Sequence, residues 1–368
     1  MYLKEIRIMD FRNYANLRVQ PHQELNFITG PNARGKTNFL ESVFFAGLGR
    51  TFRGHDRDII RWDANRASVQ AFFSLADSTV EVKAEIANEG KKKILINGAE
   101  NGRQDMPGCF GIVLFKPDDL QIIKGSPGLR RDFIDNDLGV IEPLYRDTLY
   151  KYRRVLAHRN NLLRAGGDMG GENISIWNEQ LYLYGAQVLS LRIRLLKKFF
   201  PLAKKAYSEI SGAGEELGMR YLSTVKLSGT ADAEQIAKDF RAEGKVRERE
   251  ELYKKQTTIG PHRDDLVFYL NGKDVRQFGS QGQVRSIVLA LKTAQMRMFY
   301  HDTGEKPILL LDDVLMELDE ARQHYLVDMI GDQIQTFITS ATGKEKFSGQ
   351  QGKIYLVDGF GFKELEEV

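Results

Sequence analysis

"ITGPNARGKTNFL", residues 28–40, decides the fold class of this chain. Gly30, Gly35, Lys36 and Thr37 stand at the spacing G-x-x-x-x-G-K-[ST]. In such a loop the glycines let backbone N–H groups turn inward around phosphates, and the helix behind adds positive partial charge. The lysine reaches the outer phosphates, and the threonine hydroxyl ligates Mg²⁺. The flanks agree: "LNFI" (25–28) reads as a strand leading in and "TNFLESVFF" (37–45) as a helix leading out. Phe39, Leu40, Val43 and Phe44 are expected on one face of that helix. Pro31, Asn32, Ala33, Arg34 and Asn38 complete the expected nucleotide-binding set.

"ILLLDDV" (308–314) is the second half of such a site. A continuous apolar run is the pattern of a parallel strand buried on both faces, and this one ends in Asp312 and Asp313. The first carboxylate is expected beside the metal that Thr37 holds, and the second is then free to orient or deprotonate a water. Lys36, Asp312 and Asp313 are therefore the catalytic candidates, and Thr37 and Asp312 the metal ligands. No N-K-x-D guanine-reading motif occurs, so ATP is expected rather than GTP. A third stretch, "FGSQGQVRS" (278–286), places Ser280 at the start of an apolar-faced helix, where serine caps exposed N–H groups.

Between these motifs the chain changes character. The N-terminal 120 residues alternate in short runs, "KEIRIMDF", "ELNFITG", "SVQAFFSL", "TVEVKAEIA" and "KKILING", which read as strands. From about residue 142 helical spacing takes over. Trp177, Leu181, Tyr184, Val188, Leu191 and Leu195 recur every three or four residues, the seam of a packed helix pair folded back across the Gly-rich "GGDMGG". "ADAEQIAKDFRAEGKVREREELYKKQ" reads as a charged, solvated helix. After residue 256 strands and helices mix again. The expected architecture is an α/β P-loop ATPase head built from both chain ends, 1–125 and 252–368, with a mostly helical second lobe, 126–251, inserted.

Composition excludes several classes. With 53 Lys and Arg against 50 Asp and Glu, net +3 over 368 residues, the whole chain is no polycation. Nucleic-acid binding would have to come from local patches. No apolar run is long enough for a membrane span and no signal-peptide core is visible, so a cytoplasmic protein is expected. The single Cys109 has no internal disulfide partner and reads as a small buried side chain, and the six histidines are too dispersed for a zinc site.

A family resemblance rests on seven blocks in order. They are "FRNY" (11–14), the P-loop, "GLGRTFRGHDRDIIRW" (47–62), "LFKPDDLQIIKGSPGLRRDFID" (114–135), "TTIGPHRDDL" (257–266), "GSQGQVRS" (279–286) and "LLLDDVLMELD" (309–319). In this the chain resembles the RecF family of bacterial recombination mediators, within the ABC and SMC class of ATPases, over nearly its whole length.

The resemblance implies an ATPase head like those of SMC proteins, with a helical second lobe and no long coiled coil. It implies ATP-dependent homodimerisation, in which Ser280, Gly282 and Gln283 match the signature that contacts the γ-phosphate held by the other subunit, with Gln281 replacing a glycine. It implies binding to duplex DNA and to single-strand/double-strand junctions, slow DNA-stimulated hydrolysis, and collaboration with RecR and RecO in loading RecA during recombinational repair and replication restart. Asp313 stands where the wider class has glutamate, Asp319 in a D-loop, and Ser340 where many members carry histidine. Arg12 and Asn13 are implied nucleotide contacts, and Arg50 or Arg53 are expected near the γ-phosphate or DNA. Ala33, where the family commonly has glycine, is expected at negative φ.

For DNA the candidates are Lys91, Lys92 and Lys93 on a hairpin tip, Arg130 and Arg131, and the helical cluster around Lys151, Arg153, Arg154, His158 and Arg159. Two other classes share the P-loop: the ATPase subunit of an ABC transporter, which needs a membrane partner, and a small-molecule kinase, which has no use for the "GSQGQ" stretch.

Overall fold

The computed structural model describes residues 1–76, 78–101, 110–166, 168–169, 172–212, 214–229, 231–330, 334–341, 351–358 and 361–367. Cys109 lies outside them. The chain forms two compact units, one from residues 1–119 and 295–368 and the other from residues 120–294.

The first unit holds two six-stranded sheets. In one, Gly352–Val357, Leu25–Thr29, Thr336–Thr339, Ile308–Asp312 and Ile112–Phe115 run parallel in that spatial order, and Phe362–Glu367 closes one edge antiparallel. Ile308–Asp312, Thr336–Thr339 and Ile112–Phe115 are buried along their whole length, and "ILLL" and "IVLF" accordingly read as unbroken apolar runs. The other sheet is antiparallel, in the order Tyr14–Val19, Tyr2–Phe11, Arg66–Leu75, Ser78–Ala87, Lys92–Ile96, Ala99–Asn101. Its alternation, for instance Ala67, Val69, Ala71 and Phe73 inward with Arg66, Ser68, Gln70 and Phe72 outward, is that of a sheet with one wet face.

The helix Lys36–Leu48 touches strands of both sheets. It is therefore buried nearly all round: Phe39, Leu40, Val43, Phe44, Phe45 and Ala46 are each at most 3% exposed. The one-sided apolar face expected from the sequence is too narrow a description, because a helix between two sheets has no solvent face to leave polar.

In the second unit, Pro143–Arg164 and Ile174–Ser211 form a helical hairpin. It is antiparallel, since His158 stacks on Trp177 near the turn while Arg192 reaches Tyr145 at the far end. Leu181, Val188 and Leu195 of the expected seam are buried, and Trp177, Tyr184 and Leu191 pack against the core. A third helix, Ala233–Lys254, lies on the second, and despite its charge it buries Ile236, Ala237 and Phe240.

The strand Asp265–Leu270 pairs with Leu217–Leu222. That pairing places it in the second unit, beyond the expected boundary at 251/252; the units divide at 119/120 and 294/295, where 125/126 and 251/252 were expected. A strand follows its hydrogen-bonded partner, and sequence proximity to "ILLLDDV" carries no information about that partner.

Candidate functional site

The loop 30–35 leaves the C-terminal end of the strand Leu25–Thr29 and enters the helix at Lys36. The strand beside it ends at Thr339 and the next one over at Asp312, so the loop lies where ligands bind in parallel α/β sheets. Two glycines are required by geometry. Gly30 has φ 135° and a Cβ there would stand 2.2 Å from the Val357 carbonyl oxygen. Gly35 has φ 116° and a Cβ there would stand 2.5 Å from Asn13 Nδ2.

Ala33 adopts φ 62°, contrary to the negative φ expected for it. The cradle's turn places this residue in the left-handed region, which alanine reaches only at a cost.

Lys36 is 4% exposed as a residue, and its ammonium donates to the carbonyls of Gly30 (2.8 Å) and Pro31 (3.3 Å) and to Asn32 Oδ1 (3.2 Å). It is thus held over the concave side of the loop. The hydroxyl of Thr37 donates to Asp312 Oδ1 at 2.8 Å, joining residues 275 apart in sequence. Thr339 donates to the same oxygen at 2.9 Å. Among the described residues no cluster of three His, Cys, Asp or Glu could hold a metal by itself. One buried carboxylate and one hydroxyl are nevertheless the hard-oxygen donor set that Mg²⁺ accepts when a nucleotide supplies further oxygens, so the residues present fit that ion.

Asp313 sits at φ 52°, with its backbone N–H donated to the carbonyl (3.1 Å) and hydroxyl (3.0 Å) of Thr339. Burial, and next the adjacent Asp312, raise its carboxyl above the ordinary aspartate value, while Lys36 pulls the other way. An acid so placed keeps its proton to higher pH than usual.

The "FRNY" and "GRTFRG" blocks meet on the cradle helix. Glu41, fully buried, accepts from Arg12 Nε (2.8 Å) and Nη2 (2.9 Å), from Arg53 Nη2 (3.0 Å) and from the Thr51 hydroxyl. Burial alone would raise its carboxyl, but the hydrogen bonds from Arg12, Thr51 and Arg53 outweigh it and hold the group below the usual value. Asn13 donates to the Arg34 carbonyl (3.0 Å) and accepts from Asn38 (2.7 Å), and Tyr14 donates to the Gly35 carbonyl (3.1 Å).

Arg12 and Asn13, expected to touch nucleotide, here brace the helix and loop that would hold it, because a buried Glu41 demands a guanidinium partner. Arg53 also reaches Asn38 Oδ1 at 2.6 Å, and Arg50 lies over the Phe44 ring at 4.9 Å. Glu41 had no motif signal: a glutamate one turn into a helix reads as surface charge until the helix is known to be enclosed.

In the second unit Ser280 and Gln283 cap the helix Gln281–Thr303 reciprocally. Ser280 Oγ accepts from the Gln283 N–H (3.2 Å) and Gln283 Oε1 from the Ser280 N–H (2.8 Å). Ser280 is exposed and Gly282 half-exposed. Asp319 accepts from the Arg322 N–H at 3.1 Å and so caps the following helix, while Ser340 is fully buried, its N–H donated to the Ile28 carbonyl (3.1 Å).

The DNA candidates divide. Lys91 and Lys93 are exposed on the hairpin, paired with Glu89 (2.9 Å) and Glu100 (3.2 Å). Lys92 folds inward onto Asp56 and the Gly49 carbonyl. Lys151 pairs with Asp147 (2.6 Å) and Arg154 lies over Tyr150 (5.8 Å), both at the surface. Arg130 is 2% exposed, clamped by two bonds to Asp265 (2.7 and 3.0 Å), and Arg159 is 3% exposed against Glu251 (2.6 Å). These two are internal struts, not a phosphate surface. Arg131 donates to the Asp264 carbonyl (2.8 Å).

The "TTIGPHRDDL" block supplies most of the partners: Thr257 to Arg159, His262 to Tyr152, Asp264 to Tyr221 and Thr224, Asp265 to Arg130. It is a hub for the helical unit, which its sequence did not reveal.

Comparison with known proteins agrees with this geometry. The family model described as "RecF/RecN/SMC N terminal domain" matches residues 2–356. "DNA replication and repair protein RecF" of Desulforamulus reducens is 41% identical over 372 aligned residues, covering 100% of both chains. A solved structure of the recombination mediator protein RecF with ATP, in the RecFOR pathway, superposes with TM-score 0.91 at 32% identity, covering 99% of this chain and 98% of that one. An SMC head bound to the C-terminal winged-helix domain of ScpA, at 14% identity and TM-score 0.57 over 100% and 98% of the two chains, shares the fold. By full-length similarity, by the ordered P-loop and Asp312 and by the fold that joins them, the chain belongs to the RecF family of recombination mediators.

Proposed function

We propose that this protein is an ATP-gated DNA clamp. The observation that carries the reading is the Thr37–Asp312 contact of 2.8 Å beside the Lys36 cradle, both halves of a nucleotide site meeting at the C-terminal ends of parallel strands. The solved relative that holds ATP at 32% identity supports ATP as the nucleotide.

Lys36 and the loop N–H groups bind the phosphates, and Thr37 with Asp312 would hold Mg²⁺. When bound, that ion neutralises phosphate charge and orients the triphosphate. Asp313 positions the attacking water and takes its proton. Aspartate is one methylene shorter than the glutamate of the wider class, which makes turnover slow. The exposed, Ser280-capped helix of a second copy contacts the far end of the triphosphate, so ATP closes a homodimer and hydrolysis opens it. Only interactions specific to the closed state make ATP a switch.

The clamp binds duplex DNA and junctions without sequence preference and works in the cytoplasm. By family membership it acts with RecR and RecO in delivering RecA to gaps. The accessible residues Lys91, Lys93, Lys151 and Arg154 are surface cations suited to phosphate contact. Analytical ultracentrifugation tests the core of this reading. With ATP and Mg²⁺, Asp313→Asn should sediment as a dimer at micromolar concentration, and Ser280→Arg should remain monomeric. Monomer under all conditions refutes the clamp.

A further inference from the structure

The wet face of the antiparallel sheet carries a groove of about 680 Å³ within the first unit. Strand register lines up Arg18, Arg7, Gln70 and Lys83 in one row across four strands. At the usual strand spacing that row is roughly 14 Å wide.

Glu5 accepts from Arg7 (2.5 Å) and Arg18 (2.8 Å), and the hydrogen bond from Arg18, against the cost of burial, keeps its carboxyl down at about 2. The carboxylate thus fixes both guanidiniums by one N–H each. A guanidinium has five such donors, so most are left for another anion, and the two side chains are 48% and 60% exposed. Lys83 pairs with Glu85 at 2.7 Å. Arg66, exposed where its strand begins, makes no ion pair among the described residues.

At the same end of the sheet stands Trp62, 89% exposed. Its turn is pinned to the strand that carries Arg7: Ile60 bridges to Phe11, the Arg61 N–H donates to the Asp10 carbonyl (2.8 Å), and Arg61 Nε donates to Asp10 Oδ1 (2.8 Å). The chain then turns through Asp63 at φ 68° and enters the next strand at Arg66. A tryptophan on so well anchored a turn, yet almost wholly outside the core, contributes little burial to the fold; the hydrophobic area of its ring is left for a ligand.

We propose that Trp62 and the adjoining groove bind single-stranded DNA, one base stacking on the indole and the phosphates following Arg66, Arg7 and Arg18. The proposal deepens the DNA-binding reading above and rests on it. The indole selects for single strands, because an unpaired base offers its π-face whereas a duplex hides it within the stack, and every base has such a face. Guanidiniums aimed at phosphates add no sequence preference. A junction would then be recognised by its single-stranded arm here.

The chain has two tryptophans, and the other, Trp177, stacks on His158 with centroids 3.9 Å apart. In Trp177→Phe the fluorescence therefore comes from Trp62 alone. With ATP and Mg²⁺ present, titration with oligo(dT) should quench it saturably. By anisotropy, which does not depend on that background, Trp62→Ala should weaken binding of labelled oligo(dT) by about 5- to 150-fold and that of a blunt duplex by no more than about twofold.

Arg66→Ala should lower the salt slope for oligo(dT) by about one. Unchanged oligo(dT) affinity in Trp62→Ala overturns the inference, whatever the fluorescence does, and leaves the DNA reading standing if the wild-type protein binds DNA. A wild-type protein that binds neither oligo(dT) nor duplex removes both.

Discussion

Asp313 carries two unusual features at once, a left-handed backbone and a carboxyl raised by burial and by its neighbour Asp312. If it is the group that accepts the water's proton, it must be ionised to act. ATPase activity should then fall as pH drops toward the acid range, beginning above the ordinary aspartate pKa. In Asp313→Asn the rate should drop by about 100-fold or more with nucleotide binding retained, and the acid limb should vanish from the remaining activity. A pH–rate profile of both proteins, with nucleotide affinity measured separately, checks this. Ala33 gives a second expectation. Its φ of 62° is one that glycine adopts freely, so Ala33→Gly should stabilise the first unit by about 0.5–1 kcal/mol, the relief of strain exceeding the added freedom of the unfolded chain. Urea denaturation midpoints of the two proteins measure the difference.

The helical hairpin shows what the "TTIGPHRDDL" segment does for the elements around it. His262 accepts the Tyr152 hydroxyl proton on Nδ1 (2.6 Å) and directs Nε2 to the Thr257 carbonyl (3.2 Å), which is the pattern of a neutral imidazole. Burial pushes its pKa down to about 4, with Arg263, Arg131 and Arg159 adding to the effect and the Thr257 bond opposing it. The sign follows directly. Between about 4 and 6.5 the unfolded chain binds a proton that the folded one refuses, so stability is complete above pH 6.5 and is lost as pH falls. At pH 5 the loss from this residue is about 2 kcal/mol. Thermal unfolding at pH 7.5 and pH 5 should show it, and His262→Gln, already weaker at neutral pH, should show a smaller drop between the two. The hairpin itself was readable from the spacing of Leu181, Val188 and Leu195, because a repeat of three and four residues has only one helical meaning. The role of Arg130 and Arg159 was not, since a buried arginine and a surface one look alike until the acids that clamp them, Asp265 and Glu251, are brought in from far along the chain.

Taken as a whole the molecule carries only three more cations than anions, and much of its basic content is tied in ion pairs. If it binds DNA, it does so through local patches that contact phosphate. Affinity should then fall steeply and linearly on a log–log plot against salt, and should differ little among unrelated duplexes of equal length at one salt concentration. Anisotropy titrations across a salt series test both statements. Among the described residues no helix is long and apolar enough to cross a membrane.

Local sequence determined the P-loop, the buried strand that ends in Asp312, the capped helix after Ser280 and the helical hairpin. Each is written in neighbouring residues, as a turn that needs glycine, an apolar run or a period of three to four. Only the tertiary structure decided that Thr37 and Asp312 touch across 275 positions, that Glu41 lies enclosed between two sheets with Arg12 and Arg53 upon it, that Asp265–Leu270 belongs with the helical unit, and that Ala33 turns left-handed. Those facts depend on which strand pairs with which and on what covers each face. Pairing and covering are properties of distant segments brought together, and no window of sequence contains both partners.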